Sequence, residues 1–351
     1  MSRLCGVSRK RSSRKAYCEK FATANITKNP ARKRERGRRE DARLMAFALS
    51  ASWNAFRHTD GNQLLFEIKQ AGFREIELSF NLTVSMVQQI QKTAGREGLD
   101  IISLHNYCPI PDEVPREEAL PDCYSISSCD EVERNFALKY AKRSIETAAE
   151  LGAKAVVLHC GRVEVADNTR PLVDLVNRGL KGSKEFKSMF DRAVQERKSV
   201  AQKFLAQALR SLDELNAWAR ERNVLLGVET RFYYREIPSF EEIGIILDKF
   251  KGSNISYWHD TGHAQIMEMV GFSRHAEFLK HYGSRMVGIH LHDVLNGQDH
   301  LAPSQGTVDF NQLTPFLSKD TLKVIEAHHP ATVDQLKKSE EYLRRVFDGR
   351  I

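Results

Sequence analysis

The strongest constraint in this chain is a recurrence in its second half. Four short apolar runs each close on a residue type that binds metals: Leu225-Leu-Gly-Val-Glu229, Ile255-Ser-Tyr-Trp-His-Asp260-Thr-Gly-His263, Val287-Gly-Ile-His290-Leu-His292-Asp293 and Lys323-Val-Ile-Glu326. The segments between them are long enough for one helix each. A chain that alternates strand and helix packs as a parallel α/β fold. Polar groups gathered at the ends of such strands mark the mouth of a closed barrel.

The first half carries the same alternation. Strands are expected at 46–53, 75–80, 101–105 and 155–159, with helices at 60–71, 83–98 and 130–151. Leu64, Leu65 and Ile68 recur at helical spacing, as do Val84, Val87 and Ile90. Asp130 is placed to cap a helix start and Gly152 to stop it. The stretch 162–223 is too long for one crossover helix. Residues 196–222 form a strong amphipathic pattern, and 171–191 read as an inserted lid or small helix, the kind of loop that sets specificity in barrels. Helices at 239–250, 265–282, 310–317 and 332–347 separate or follow the four ligand-bearing strands. Eight such units predict a single (β/α)8 TIM barrel over 45–351, with no second domain.

Charge adds an exclusion. The net charge of +7 suggests nucleic acid until it is located. Residues 1–44 hold 15 Lys and Arg against four acids, which leaves 38 basic and 42 acidic residues in the barrel. A slightly acidic barrel has no general pull on phosphates, so nucleic acid is not an expected partner. Residues 1–44 have the composition of a disordered basic extension. An anion-binding arm and an organellar transit peptide are two readings of it. The favoured one is that the working protein begins at Met45, just ahead of the first strand. No run approaches the roughly 20 apolar residues of a membrane span.

Six cysteines (Cys5, Cys18, Cys108, Cys123, Cys129, Cys160) form no Cys-x-x-Cys pair, which fits reduced thiols and a cytoplasmic location. Cys108 and Cys160 follow strands and are expected near the site, without a catalytic role. No GxGxxG or GxxxxGK[ST] loop occurs, so no nucleotide cofactor is expected.

Each candidate ligand has a plain structural explanation when taken alone. Glu229 could pair with Arg231, Asp260 could cap the next helix, His290 and His292 could be core histidines, and Glu326 could be a rim ion pair. In a closed barrel, however, all of them reach one mouth, together with His105 and His159. That convergence favours metal binding. Oxygen and imidazole donors suit Mn, Mg, Co or Zn.

With these residues in hand the chain resembles the xylose-isomerase-like barrel superfamily, which includes sugar isomerases, ketose 3-epimerases and apurinic endonucleases. The resemblance runs over about 45–347 and rests on Val228-Glu229, Asp260-Thr-Gly-His263, His290-Leu-His-Asp293, Asp299-His300-Leu-Ala-Pro-Ser-Gln-Gly306 and Glu326. It implies a divalent cation on Glu229, Asp260, His290 and Glu326. It also implies that Glu229 and Glu326 serve as catalytic acid and base through an enediolate. His263 and His300 are expected at sugar oxygens, and Arg231 at the substrate. The endonuclease members imply a second metal at His105 and His159. This chain departs from their pattern at Gln298, where they have an aspartate; Asp299 stands one residue away.

The expected function is therefore a divalent-metal-dependent sugar or sugar phosphate isomerase or epimerase. The alternative is a zinc-dependent, apurinic-endonuclease-like phosphoesterase. A small sugar-like molecule is the expected partner, and a homo-oligomer is expected by analogy with the resembling proteins.

Overall fold

Helix caps divide this chain into its units. Asp60 accepts hydrogen bonds from the backbone of Asn62 and Gln63 at 2.8 and 3.0 Å, and Asp130 accepts from Val132 at 2.8 Å. Thr83 caps through Met86, while Ser239 and Glu242 complete a reciprocal capping box. Each cap starts a helix that turns the chain back toward the next strand.

The computed structural model describes residues 46–348, which belong to one compact unit spanning 43–351. The basic segment 1–44 and a start at Met45 lie outside the described residues. Seven barrel strands come first: β1 (Ala48–Ser50), β2 (Glu75–Leu78), β3 (Asp100–His105), β4 (Ala155–Leu158), β5 (Leu225–Glu229), β6 (Ile255–Asp260) and β7 (Met286–Leu291). A hairpin of β8 (Asp293–Leu295) and β9 (Gln298–Leu301) precedes the eighth barrel strand, β10 (Leu322–Ile325). Closure runs β1-β10-β7-β6-β5-β4-β3-β2 with every pair parallel, so the expected barrel is present.

The helices are α1 (Gly61–Gln70), α2 (Val84–Glu97), α3 (Glu131–Leu151), α4 (Thr169–Asn177), α5 (Lys184–Glu221), α6 (Phe240–Lys249), α7 (Thr261–Val270), α8 (His275–Tyr282) and α9 (Val333–Asp348). Five details differ from the sequence expectation, one being that the helix expected at 310–317 is a 3-10 helix, Phe310–Phe316, with Pro315 inside it. The first strand is cut to Ala48–Ser50, because Ser50 accepts from the Ser52 backbone and starts a 3-10 turn. The amphipathic helix begins at Lys184, since Ser183 Oγ accepts from Phe186 N at 3.0 Å and caps it earlier. The helix expected at 265–282 is two, broken where Gly271 adopts a left-handed conformation. The hairpin β8–β9 was not expected at all.

The barrel interior below the mouth is filled by Trp258, with Ala48, Ile102, Ala155, Val157, Leu322 and Val324 around it. Its indole lies across the neighbouring strands at two glycines. A Cβ at Gly288 would meet Trp258 Cζ3 at 2.1 Å, and one at Gly227 would meet Cε3 at 2.7 Å. Glycine there is a condition of fitting a tryptophan inside a narrow barrel. His290 rests above this ring, with centroids 5.1 Å apart. Gly288→Ala should therefore destabilise by about 1–3 kcal/mol, the usual cost of overpacking. A lowered midpoint in thermal unfolding would show it, and an unchanged midpoint would refute this account of the floor.

Candidate metal centre

Parallel register brings the four ligand types to one level. Asp260 pairs with His290 across β6 and β7, and Val324 of β10 pairs with His290 from the other side. Glu326 therefore stands just beyond the strand end, and Glu229 closes β5 beside Trp258. All four side chains are buried. His290 Nδ1 lies 2.7 Å from Glu229 Oε1, 3.0 Å from Glu326 Oε2 and 3.5 Å from Asp260 Oδ2. On its other side, Nε2 is 3.0 Å from Glu77 Oε1, and Glu77 Oε2 accepts from Ser103 Oγ at 2.8 Å.

Three carboxylates thus converge on one nitrogen that can carry one proton. At an effective dielectric of about 20, two like charges about 4 Å apart repel by about 4 kcal/mol. Burial opposes a charge on His290, yet the surrounding carboxylates raise its pKa well above the ordinary imidazole value. Burial likewise opposes ionised Glu229, Asp260 and Glu326. The imidazoles around them, and Arg231 beside Glu229, overcome it and hold all three below the usual carboxylate range. One imidazolium is a small counter-charge for such a set. The ligand atoms of Glu229, Asp260, His290 and Glu326 lie within 4.8 Å of one another. Three oxygens and one nitrogen fit a divalent ion, with Glu77 behind the imidazole as an orienting carboxylate.

Glu229 is the most heavily engaged of the four. His159 Nε2 lies 2.7 Å from its Oε2, and Arg231 Nη1 donates to the same oxygen. Arg231 continues to Glu236 at 3.0 Å, and lies 3.6 Å from Asp122. The guanidinium is buried, and its Nε alone has no partner. Asp122 also holds His159 Nδ1 at 3.1 Å. Burial and the nearby Arg231 disfavour a charged His159, but Asp122 and Glu229 outweigh both and raise it to about 9. His105 stands 4.8 Å from the His159 ring and donates Nδ1 to the Asn106 carbonyl, 3.1 Å away. Its Nε2 lone pair is left for a ligand, and His105, His159 and Glu229 form a second group of potential ligands.

The remaining histidines build one side of the rim. Asp260 caps α7 by accepting from His263 N at 2.7 Å, so it performs the capping role as well as facing His290. His263 Nδ1 donates to the Thr230 carbonyl at 2.9 Å, and burial keeps this ring neutral, down to about 4. His292 Nδ1 accepts from the His300 backbone at 2.9 Å, which directs its Nε2 proton to Asp260 at 2.9 Å. The rings of His292, His300 and His328 stack in series, with centroids 4.2 and 3.9 Å apart. Burial opposes charge on His300, while the adjacent Asp299 raises it to about 9. Asp293 serves the loop instead: it accepts from the backbones of Ser304, Gly306 and Val308 at 2.8–3.0 Å.

Arg116 fixes the long loop after β3. It donates to the carbonyls of Asn81 at 2.9 Å, His58 at 2.6 Å, and Ala55. Cys108 and Cys160 are packed in the core, where burial pushes both thiols up. Tyr234, just after β5, stacks on Phe272 with ring centroids 3.8 Å apart.

Glu77, Asp122, Glu236 and His328 were not among the candidates that the sequence offered. Glu77 had a signal, a carboxylate between Ile76 and Leu78 in a strand. His300 was found, but not its setting: the Asn296-Gly297 pair, both at positive φ, is the strong two-residue hairpin signal.

A closed parallel barrel with carboxylates and imidazoles at its mouth defines a class of protein. The family described as the xylose isomerase-like TIM barrel matches residues 65–346, and the chain belongs to it. An uncharacterised protein of Sinorhizobium fredii, y4fM, is 24% identical over 264 residues, covering 70% of this chain and 73% of that protein. Among solved structures, 3-keto-D-glucoside 4-epimerase YcjR of E. coli superposes with a TM-score of 0.61 at 17% identity, covering 86% of this chain and 99% of that one. The IolI protein with a bound zinc atom superposes with a TM-score of 0.61 at 15% identity, covering 88% and 99%.

These ion pairs carry a pH signature. With chelator present, His159 and His300 are raised to about 9, against about 6.5 in the unfolded chain. Their contribution is complete below pH of about 6.5 and is lost as pH rises through about 9. His263 and His328, at about 4 and about 3, stay neutral across that window and add no slope. The denaturant midpoint of the chelated protein should therefore fall between those pH values. A flat profile would contradict the assigned pairs.

Proposed function

We propose that this protein is a divalent-metal-dependent isomerase or epimerase of a small sugar or sugar phosphate. The observation that carries the reading is the approach of Glu229 and Glu326 to the same His290 nitrogen from β5 and beyond β10. Two carboxylates reaching one point from different walls suit removal of a C–H proton on one side and its return on another. A divalent ion bound by Glu229, Asp260, His290 and Glu326 would polarise a substrate carbonyl and its neighbouring hydroxyl, lowering the barrier to that proton transfer. The solved relatives support the sugar assignment, since one of them is a keto-glucoside epimerase.

The two glutamates differ in their surroundings. Glu229 is bonded by His290, His159 and Arg231, which lowers its basicity and keeps it ionised. Glu326 faces His290 and, at 3.8 Å, His300, with no guanidinium. Glu326 is accordingly the stronger base and takes the C–H proton, while Glu229 anchors the cation and passes a proton drawn from the adjoining His159 imidazolium to the opposite face; the proton on Glu326 then leaves to solvent. His263 and His300 orient sugar oxygens. Arg231 bears on the substrate through its hold on Glu229.

Glu326→Gln should lower kcat by about 10²–10⁴-fold, the usual weight of general acid–base catalysis. Glu229→Gln should lose more of the bound metal than Glu326→Gln. The assay is proton NMR of a ketopentose and ketohexose panel in deuterated water with Mn, Co, Mg or Zn supplied. If no sugar takes up deuterium under any of these metals, the proposal fails.

One observation favours a second reading. The His105, His159 and Glu229 group supports a zinc-dependent phosphoesterase of the apurinic endonuclease type. Against it, Gln298 is exposed, and the barrel has no basic excess to hold a phosphate backbone. Cleavage of abasic duplex DNA in zinc would move this reading to the front.

A further inference from the structure

We propose that Glu326 is a bridging ligand, and that together with His300 and His328 it forms another divalent-cation site beside the one on His290. The potential ligand atoms of the three side chains lie within 4.8 Å of one another. Asp299 Oδ2 is 3.1 Å from His300 Nδ1, so the ring proton is held there. His300 Nε2 then faces Glu326 Oε2, 3.8 Å away, and a cation bound there would take the place of its proton. A carboxylate behind an imidazole is the arrangement by which metal sites fix a ligand's tautomer and aim. His328 supplies the independent sign. Its Nε2 is buried without a hydrogen-bond partner, an orphan that calls for an explanation.

The backbone makes the pair of rings a fixed unit. His328 N donates to the His300 carbonyl at 3.0 Å, and the rings stack 10° from parallel. Nitrogens bound to one tetrahedral zinc at about 2.1 Å lie about 3.4 Å apart, so the potential ligand atoms, now within 4.8 Å of one another, would have to draw together around an ion. Two imidazoles and a carboxylate suit zinc and neighbouring first-row ions. His300 and His328 line a surface pocket together with Gln298, Asp299, Gln305 and Gln335, which gives an ion a way in.

The site has a chemical consequence for the proposed reaction, on whose reading of Glu326 as a ligand it rests. A glutamate shared between two cations has its lone pairs committed and cannot serve as a base. Filling this site therefore silences Glu326, and excess zinc inhibits.

The test counts ions and requires no turnover, so it stands apart from the sugar assay. Full-length protein is dialysed against zinc and analysed by elemental mass spectrometry, with circular dichroism checking the fold. His328→Asn should bind one zinc fewer than wild type and keep the rest. An equal count in both proteins overturns the site, as does loss of all zinc from a folded His328→Asn. Should that variant not fold, Asp299→Asn provides the second measurement in a cobalt titration followed by visible absorption. It should weaken one equivalent by about 10–100-fold and leave the tightest unchanged. Identical titrations of wild type and Asp299→Asn overturn the proposal.

Discussion

The charge gathered around His290 is the constraint on which the rest of this molecule turns. Glu77, Glu229, Asp260 and Glu326 approach one imidazole from strands that are distant in sequence. Burying carboxylates together costs several kcal/mol per charge unless positive groups compensate. The positive groups here are specific: His290 in the centre, His159 and Arg231 behind Glu229, and His300 beside Glu326. Each is fixed by another carboxylate on its far side, namely Glu77, Asp122, Glu236 or Asp299. The mouth is a lattice of alternating charge, which is why so many titratable side chains are buried at one end of the barrel.

That lattice requires a rigid base. Trp258 supplies it by filling the interior directly beneath His290, and the neighbouring glycines of β5 and β7 make room for the indole. Position at the mouth is thus set by packing below it, and the carboxylates are presented by strand ends rather than by loops. Loops contribute where geometry is less demanding: Asp122 arrives from the segment after β3, which Arg116 pins to three carbonyls.

Much of this was legible in the chain. The four ligand-bearing strands announce themselves because apolar runs ending in Glu229, Asp260, His290 and Glu326 have period and position together. Asp60, Thr83, Asp130 and Ser239 mark helix starts for a local reason, the demand of unpaired backbone N–H groups. What stayed hidden depends on contacts between distant segments. Nothing local says that Glu77 will meet His290, 213 residues away, or that Asp122 will reach His159. His328 stayed hidden because its neighbour in space, His300, sits on a hairpin whose turn signal went unread. The continuous pattern at 265–282 hid the break at Gly271, since both halves keep apolar faces.

The hairpin has a partner. Asn177 at the end of α4 donates to the Asn296 carbonyl at 2.7 Å, and Gly297 presses on Val173 so closely that a Cβ there would lie 2.2 Å from its Cγ1. One insertion follows β4 and the other follows β7, yet they interlock above the mouth. Neither is an independent module. Natural variation in the length of one must be answered in the other, and a transplant of either into a sister barrel will seat correctly only if its counterpart travels with it.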